Sequence, residues 1–236
     1  PAFKLLDSRG ANWTAFRQGD PLGGKQILAG SLEAGGHDVR LVNLKQGGRV
    51  VDTGAVQWNG ITLTKIVSGT PWTEIDHHTA DVWGITVNYL QERDTACAIV
   101  RYLHAAGAKV ILGGSDALAE PHHYLAAGAA AVATDKSGAG NLGLVNWIVG
   151  GDDSELHGAA LPDGRRVPNR IPPASPEQWP IPSDAMVQAT LGNAYWESPL
   201  DESLLPIGAI MADLGCDRKC DFCQTPTYQV GYKRMT

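Results

Sequence analysis

Between Asp81 and Val149 the chain alternates short apolar runs with stretches of helical period, and this alternation restricts the fold more than any other feature. Asp81–Val87 (DVWGITV) reads as a buried strand and Asp94–Ala106 as a helix stopped by Gly107. Lys109–Leu112 (KVIL) is a strand that runs into Gly113-Gly114, and Pro121–Ala127 is a short helix. Ala129–Ala133 is a further strand and Ala139–Val149 a further helix. Strands separated by helices of this length return to one sheet in parallel, by right-handed crossovers. The same rhythm is read upstream. Phe3–Asp7 (FKLLD) is a first strand, and Leu22–Ala34 is a helix with Ile27, Leu28, Ser31 and Leu32 on one face. Gly35-Gly36 stops that helix, and Val39–Leu44 (VRLVNL) is a second strand. Residues 45–70, with alternation at Ile61-Thr-Leu-Thr-Lys-Ile, read as a small β excursion. The expectation for residues 1–150 is an α/β domain with a doubly wound, Rossmann-like parallel sheet. Such a sheet binds ligands outside the carboxyl ends of its strands. The loops there are Asp7–Gly24, Asn88–Gln91, Gly113–Asp116 and Thr134–Gly138.

After Gly150-Gly151 the pattern changes. Leu156–Val167, with Pro162-Asp-Gly inside it, reads as a hairpin. The following residues are rich in proline, including Pro172-Pro173 and Trp179-Pro-Ile-Pro, and read as an extended connector without core residues. Residues 151–205 are therefore taken as hairpin and linker. Pro206–Asp213 (PIGAIMAD) is a fresh strand that opens a third segment, 206–236.

The third segment holds the densest chemistry. Gly215–Cys223 (GCDRKCDFC) places three of the four cysteines at C-x3-C-x2-C spacing. Two disulfides would need favourable Cα separations, and disulfide-dense secreted domains are usually much smaller than 236 residues. A metal or cluster is the better reading, which implies a reducing cytoplasm. A structural zinc site wants four ligands; the nearest histidine in sequence is His157, and a distant Cys97 would have to complete the set. A 4Fe–4S cube held by Cys216, Cys220 and Cys223 would leave one iron open to a substrate or cofactor. Composition narrows the partners. Apolar content is 43%, charged content 19% and the net charge −6 with no basic run, which argues against a nucleic-acid surface. The apolar runs fall short of the roughly 20 residues that span a bilayer.

On these residues the chain resembles the radical S-adenosylmethionine superfamily. The cysteine spacing after a strand, Gly215 before it and Phe222 in the C-x-Φ-C slot match that signature. The upstream words resemble the cobalamin-binding domain of one large class of these enzymes. They are Pro21-Leu-Gly-Gly, Gly36-His-Asp-Val-Arg-Leu, Ala80-Asp-Val-Trp-Gly-Ile-Thr-Val and Lys109-Val-Ile-Leu-Gly-Gly-Ser. The resemblance implies Cys216, Cys220 and Cys223 as cluster ligands and Phe222 beside the adenine of S-adenosylmethionine. It implies cobalamin contacts from Leu22, Gly23, Asn88, Tyr89, Gln91, Gly113 and Gly114. Ser115, Thr134 and Ser137 would offer hydroxyls to the corrinoid's amides or nucleotide tail. The histidine that replaces the lower axial cobalt ligand in D-x-H-x-x-G domains is absent. Asp76-His77-His78-Thr79-Ala80-Asp81 has Asp81 where glycine belongs and reads as a solvated turn. His122-His123 reads as the exposed start of a helix.

The implied activity is cobalamin-dependent methyl transfer from S-adenosylmethionine, through methylcobalamin, to a carbon of a small-molecule or peptide substrate. Rearrangement or cyclisation on the same scaffold, or a non-catalytic corrinoid and iron–sulfur carrier, are the alternatives. A methylthiotransferase-like second cluster is rejected, because only Cys97 remains to hold it. A flavodoxin or ferredoxin is the implied electron donor. In the family the cysteine loop follows the first strand of a partial (β/α) barrel, of which residues 206–236 would be only the start. The chain alone is therefore expected not to complete catalysis.

Overall fold

The computed structural model describes residues 2–13, 23–44, 50–135, 138–170, 178–193, 213–214, 216, 218, 220–221 and 233–234. In chain order the elements are β1 (Ala2–Leu6), α1 (Gly23–Ala34), β2 (Val50–Trp58), β3 (Ile61–Ser68), β4 (Val82–Thr86), α2 (Arg93–Ala105), β5 (Lys109–Gly113) and α3 (Ser115–Ala119). There follow α4 (Pro121–Ala126), β6 (Ala131–Ala133), α5 (Asn141–Gly150), β7 (Ala159–Ala160), β8 (Arg166–Val167), α6 (Asp184–Asn193), β9 (Asp213–Leu214) and β10 (Lys233–Arg234). Two compact units result. One comprises Pro1–Gln26, Val39–Ile75 and Pro182–Ile210; the other comprises Ile27–Asp38, Asp76–Ile181 and Met211–Thr236.

The first unit is built on an antiparallel sheet of order β1-β3-β2. Asn59 and Gly60 join β2 to β3 with φ of 45° and 77°, the positive pair that a two-residue type I′ hairpin requires. Val56 faces Leu63 and Trp58 faces Ile61, so these four side chains share one side of the sheet. Leu63 is buried there. The register slips between Asp52 and Ala55, where Gly54 sits at φ 104° and donates its N–H to Asp52 Oδ1 at 2.8 Å. This sheet corrects the expectation that FKLLD opens the parallel sheet. β1 pairs antiparallel with β3, Leu5 opposite Lys65, because the hairpin leaves that edge open to it. Val39–Leu44 is no strand either; it alternates between half-buried and exposed side chains but joins no ladder among the described residues. The proline-rich connector also departs from expectation. Ser183 Oγ accepts the Met186 N–H at 3.2 Å, capping α6, and Met186 is buried.

The second unit holds a five-stranded sheet of order β4-β5-β6-β7-β8. β4, β5 and β6 are parallel, while β7 and β8 run antiparallel. The architecture is thus mixed α/β, with three parallel strands where a wider doubly wound sheet was expected. The expected hairpin exists, but it extends the sheet instead of linking domains. β5 sits between β4 and β6, and Val110, Ile111 and Leu112 are all buried, as a strand covered on both faces demands. Ile111 packs with Leu144 of α5 and with Leu156, Ala159 and Leu161 around the hairpin. α2 and α4 pack against β5 and β6 respectively and against each other. β9 pairs antiparallel with β10 over two residues each. The rest of the expected barrel strand, 206–212, lies outside the described residues.

Helix ends follow one device. Gly36, Gly107 and Gly128 sit at φ 89°, 83° and 107° after α1, α2 and α4. Each donates to the carbonyl three residues back, and the next N–H bonds the carbonyl five residues back: His37 to Leu32, Ala108 to Leu103 and Ala129 to Tyr124. These are Schellman stops, which satisfy carbonyls that the helix leaves unpaired. The stops read from Gly36 and Gly107 stand.

Gly143 inside α5 has a different reason. A Cβ there would lie 2.2 Å from the Glu155 carbonyl oxygen. Ala is normally favoured over Gly in a helix by about 1 kcal/mol. Here the backbone clash reverses the sign, and we expect Gly143→Ala to destabilise by about 1–3 kcal/mol in chemical denaturation. An unchanged or raised midpoint would show that the segment around Glu155 is not seated on α5.

Candidate functional site

Parallel pairing brings the carboxyl ends of β4, β5 and β6 to one edge of the sheet, at Thr86, Gly113 and Ala133. The loops that follow are stitched together there. Val87 N–H donates to the Gly113 carbonyl at 2.8 Å, and Asp116 N–H donates to the Val87 carbonyl at 3.2 Å. Asn88 Oδ1 accepts the Ser115 N–H at 3.2 Å. Gly114 has φ 103° and ψ 174°, and a Cβ on it would sit 2.3 Å from the Val87 carbonyl oxygen. Glycine is therefore required at 114 by the turn itself, whatever else the turn holds. Gly113 tolerates a Cβ at ordinary contact, 3.9 Å from Ala133. Tyr89 and Leu90 are exposed beside Asn88, and Gln91 lies in the single 3-10 turn Leu90–Glu92. The edge thus offers an aromatic and an aliphatic surface beside a carboxamide and a hydroxyl.

The hairpin adds residues that sequence reasoning missed. Because β7 runs opposite to β6, its start lies at the same edge; Thr134 N–H donates to the Gly158 carbonyl at 2.7 Å. Gly158 N–H donates in turn to Pro168 at the end of β8, at 3.2 Å. Asp135 is the hub. Its Oδ2 accepts the Gly140 N–H at 2.9 Å, and its Oδ1 accepts from Asn169 Nδ2 at 2.9 Å. Asn169 Oδ1 lies 2.9 Å from His157 Nδ1. A carboxylate only accepts, so it fixes which end of the Asn169 amide faces it. The amide oxygen must then face His157. Nδ1 of His157 therefore carries the proton, and in the neutral ring Nε2 keeps its lone pair. His157 is buried, with only 4% of its surface exposed. The sequence signal was weak: an aspartate just past a strand, and a histidine beside a hairpin taken for a linker.

A buried polar centre lies under the β5 loop. Asp116 accepts two bonds from Arg93, Nε to Oδ2 at 2.9 Å and a terminal nitrogen to Oδ1 at 2.7 Å. The Tyr124 hydroxyl donates to Asp116 Oδ2. Asp116 and Tyr124 are buried. The Arg93 bonds hold the Asp116 carboxyl below its usual range, against the opposing effect of burial. Burial, followed by the Asp116 bond, pushes the Tyr124 phenol far up, so it remains a donor. Arg93, reinforced by the same carboxylate, stays charged. This centre ties α2, α3 and α4 together at the root of the edge loops.

Of the cluster candidates, Cys216 is partly buried and Cys220 exposed, and neither is in a disulfide. The Arg218 N–H donates to Cys216 Sγ at 3.4 Å. Cys223 and Phe222 lie outside the described residues, as do Leu22 and Ser137. Gly23 is the first residue of α1 and belongs to the first unit. Cys97 is buried on α2, its thiol 3.8 Å from the His123 carbonyl, and burial pushes its pKa up. It is a poor candidate to complete a zinc site. His77 and His78 lie in the short 3-10 turn His77–Thr79, where Asp76 Oδ1 accepts the His78 N–H at 3.1 Å. Among the described residues no helix is long and apolar enough to cross a membrane.

Comparison with protein-family models, with curated proteins and with solved structures finds no match to this chain.

The Asp116 centre has a defined pH signature. Its folded carboxyl titrates below the unfolded value of about 3.9. Its contribution is present above that value and is lost as pH falls through the folded pKa. Thermal melts should show a steeper loss of stability below about pH 4 for the parent chain than for Asp116→Asn. Asp116→Ala at neutral pH should cost about 2–3 kcal/mol, less than a fully buried pair because Arg93 keeps some access to water. A parallel acid profile for parent and Asn variant would remove the ion pair from the stability of this unit.

Proposed function

We propose that this chain binds a corrinoid at the carboxyl edge of its sheet and a 4Fe–4S cluster on Cys216, Cys220 and Cys223, and serves cobalamin-dependent radical methyl transfer to carbon. What carries the reading is the C-x3-C-x2-C run, in which Cys216 and Cys220 are free thiols rather than disulfide partners. Three thiolates suit an iron–sulfur cube with one iron left for another ligand, and suit zinc less well because the set lacks a fourth donor. Bound together, the cluster, S-adenosylmethionine and the corrinoid supply radical generation and methyl transfer. The hard chemistry is theirs, and the chain contributes orientation and shielding.

The edge has features that fit a large amphipathic ring. Tyr89 and Leu90 present apolar surface to solvent. Asn88, Ser115 and Thr134 bring hydrogen-bonding groups to the loops on either side, and the Asn88 carboxamide already spans from the β4 loop to the β5 loop. Gly114 lets those loops touch, which holds the cradle's spacing. Cobalamin contacts are assigned to Asn88, Tyr89, Gln91, Gly113, Ser115 and Thr134 on this ground. The substrate is a small molecule or peptide, the electron donor a flavodoxin or ferredoxin, and the compartment the reducing cytoplasm that free thiolates need.

The test is anaerobic reconstitution with iron, sulfide and hydroxocobalamin, followed by desalting and metal counts. We expect about four irons and about one cobalt per chain. Replacing Cys216, Cys220 or Cys223 by Ala should remove iron and leave cobalt. Tyr89→Ala with Asn88→Ala should weaken cobalt retention and leave iron. Iron without cobalt would reduce the edge to a fold element; a folded chain retaining neither would end the reading.

A further inference from the structure

We propose that Glu120, His122 and His123 form a binding site for a divalent metal of the zinc class, separate from the cysteine loop. The three side chains lie at the start of α4. Their ligand atoms, one from each, all fall within 4.8 Å of one another. Zn–N bonds of about 2.0–2.1 Å and Zn–O bonds of about 2.0–2.2 Å give a tetrahedral edge of roughly 3.3–3.4 Å. His122 Nδ1 and Glu120 Oε2 are already 3.4 Å apart. Adjacent residues on a helix ordinarily diverge by about 100°. Here the two imidazoles converge instead, with centroids 4.1 Å apart and planes inclined by 35°. Glu120, with φ −130° and ψ 56°, turns the chain into the helix, and Pro121 fixes the first helical position. The backbone therefore gathers three donors before any ion binds.

Packing gives no competing reason for this gathering. The His122 and Glu120 side chains are 69% and 47% exposed, so neither fills the core. An exposed carboxylate–imidazole contact alone contributes little to stability. The donors are imidazole and carboxylate without thiolate, a set that suits zinc and leaves iron–sulfur chemistry to the cysteine loop. Three protein ligands leave one tetrahedral position for water or a solute. Both histidines line a groove of about 510 Å³ between α2 and α4, together with Arg93, Asp94, Cys97 and Arg101. Two of the three proposed ligands thus border a groove wide enough for a solute.

The test uses the full chain with Cys216, Cys220 and Cys223 replaced by Ser, so that no cluster thiolate competes. Co2+ alone is the probe, read by the visible ligand-field bands of tetrahedral cobalt, and Zn2+ is then used to displace it. We expect one equivalent of Co2+ with tetrahedral bands, displaced by Zn2+. His122→Gln and His123→Gln should each weaken binding on the order of tenfold or more, whereas the double variant His77→Gln/His78→Gln should leave it unchanged. Melting curves establish that the variants are folded. Absence of saturable binding by the parent, or undiminished binding by the folded His122→Gln/His123→Gln double variant, would overturn the proposal. Loss of binding in the His77/His78 variant would move the site to that other pair and overturn it equally. The outcome is independent of whether the chain retains iron or corrinoid.

Discussion

β5 has neighbours on both edges and cover on both faces, and the second unit is organised around that fact. Val110, Ile111 and Leu112 have no solvent-facing alternative. One face must meet α2 and its neighbours, and the other must meet α5 and the β7–β8 hairpin. Burying each such side chain stabilises by roughly 1.5–3 kcal/mol relative to exposure. Slipping β5 by one residue would exchange its two faces, so the register with β4 and β6 is tightly specified. Once that register is set, the ends of the three parallel strands fall at one edge, and so do the residues that follow them.

Two polar groupings, one buried at Asp116 and one half-buried at Asp135, then fix what the edge looks like. Asp116 gathers Arg93 and Tyr124 behind the β5 loop, while Asp135 gathers Asn169, His157 and the N–H of Gly140 around the β6 loop. Each is an aspartate just past a strand whose oxygens are used by groups from other elements. At the buried Asp116, a carboxylate left short of partners would cost several kcal/mol, so the loops around it are held where the donors must be. Gly114 contributes by absence: with no Cβ, the β4 and β5 loops approach to hydrogen-bonding distance. Hydroxyl and amide groups on those loops inherit fixed spacing from contacts that involve no ligand.

Local signals carried much of this into the sequence. The strands at 82–86, 109–113 and 131–133, the helices α2 and α4 between them, the stops at Gly36 and Gly107 and the hairpin after Gly151 were legible, because periodicity and glycine act within a few residues, whereas the short helix α3 fell where a loop over Gly113–Asp116 was expected. Pairing was not. FKLLD has the same apolar pattern whether its neighbour is parallel or antiparallel, and VRLVNL alternates like a strand yet finds no ladder. The Asn59-Gly60 dipeptide was a readable hairpin turn inside the excursion at 45–70, and it gives β1 its partner. The Asp135–Asn169–His157 chain spans 34 residues and two loops, a distance over which sequence pattern is silent. His122 and His123 were discounted by the rule that neighbours on a helix diverge. They do stand at the exposed start of α4, but their rings lie 4.1 Å apart, an approach that residue spacing alone does not encode.

The antiparallel hairpin also changes where the chain goes next. A strand–helix repeat returns the chain to the amino edge of the sheet after each helix, and α5 would do so here. β7 and β8 reverse direction twice, so that Pro168, Asn169 and Arg170 leave from the edge that carries Asn88, Ser115 and Thr134. Whatever the residues after Arg170 convey, they begin their path on the side where the parallel strands end. The two-residue strand β8, bounded by Arg165 and Pro168, is also too short to template another strand. The sheet is thereby closed to further growth at β8, and Arg170 leaves it at the mouth of the edge.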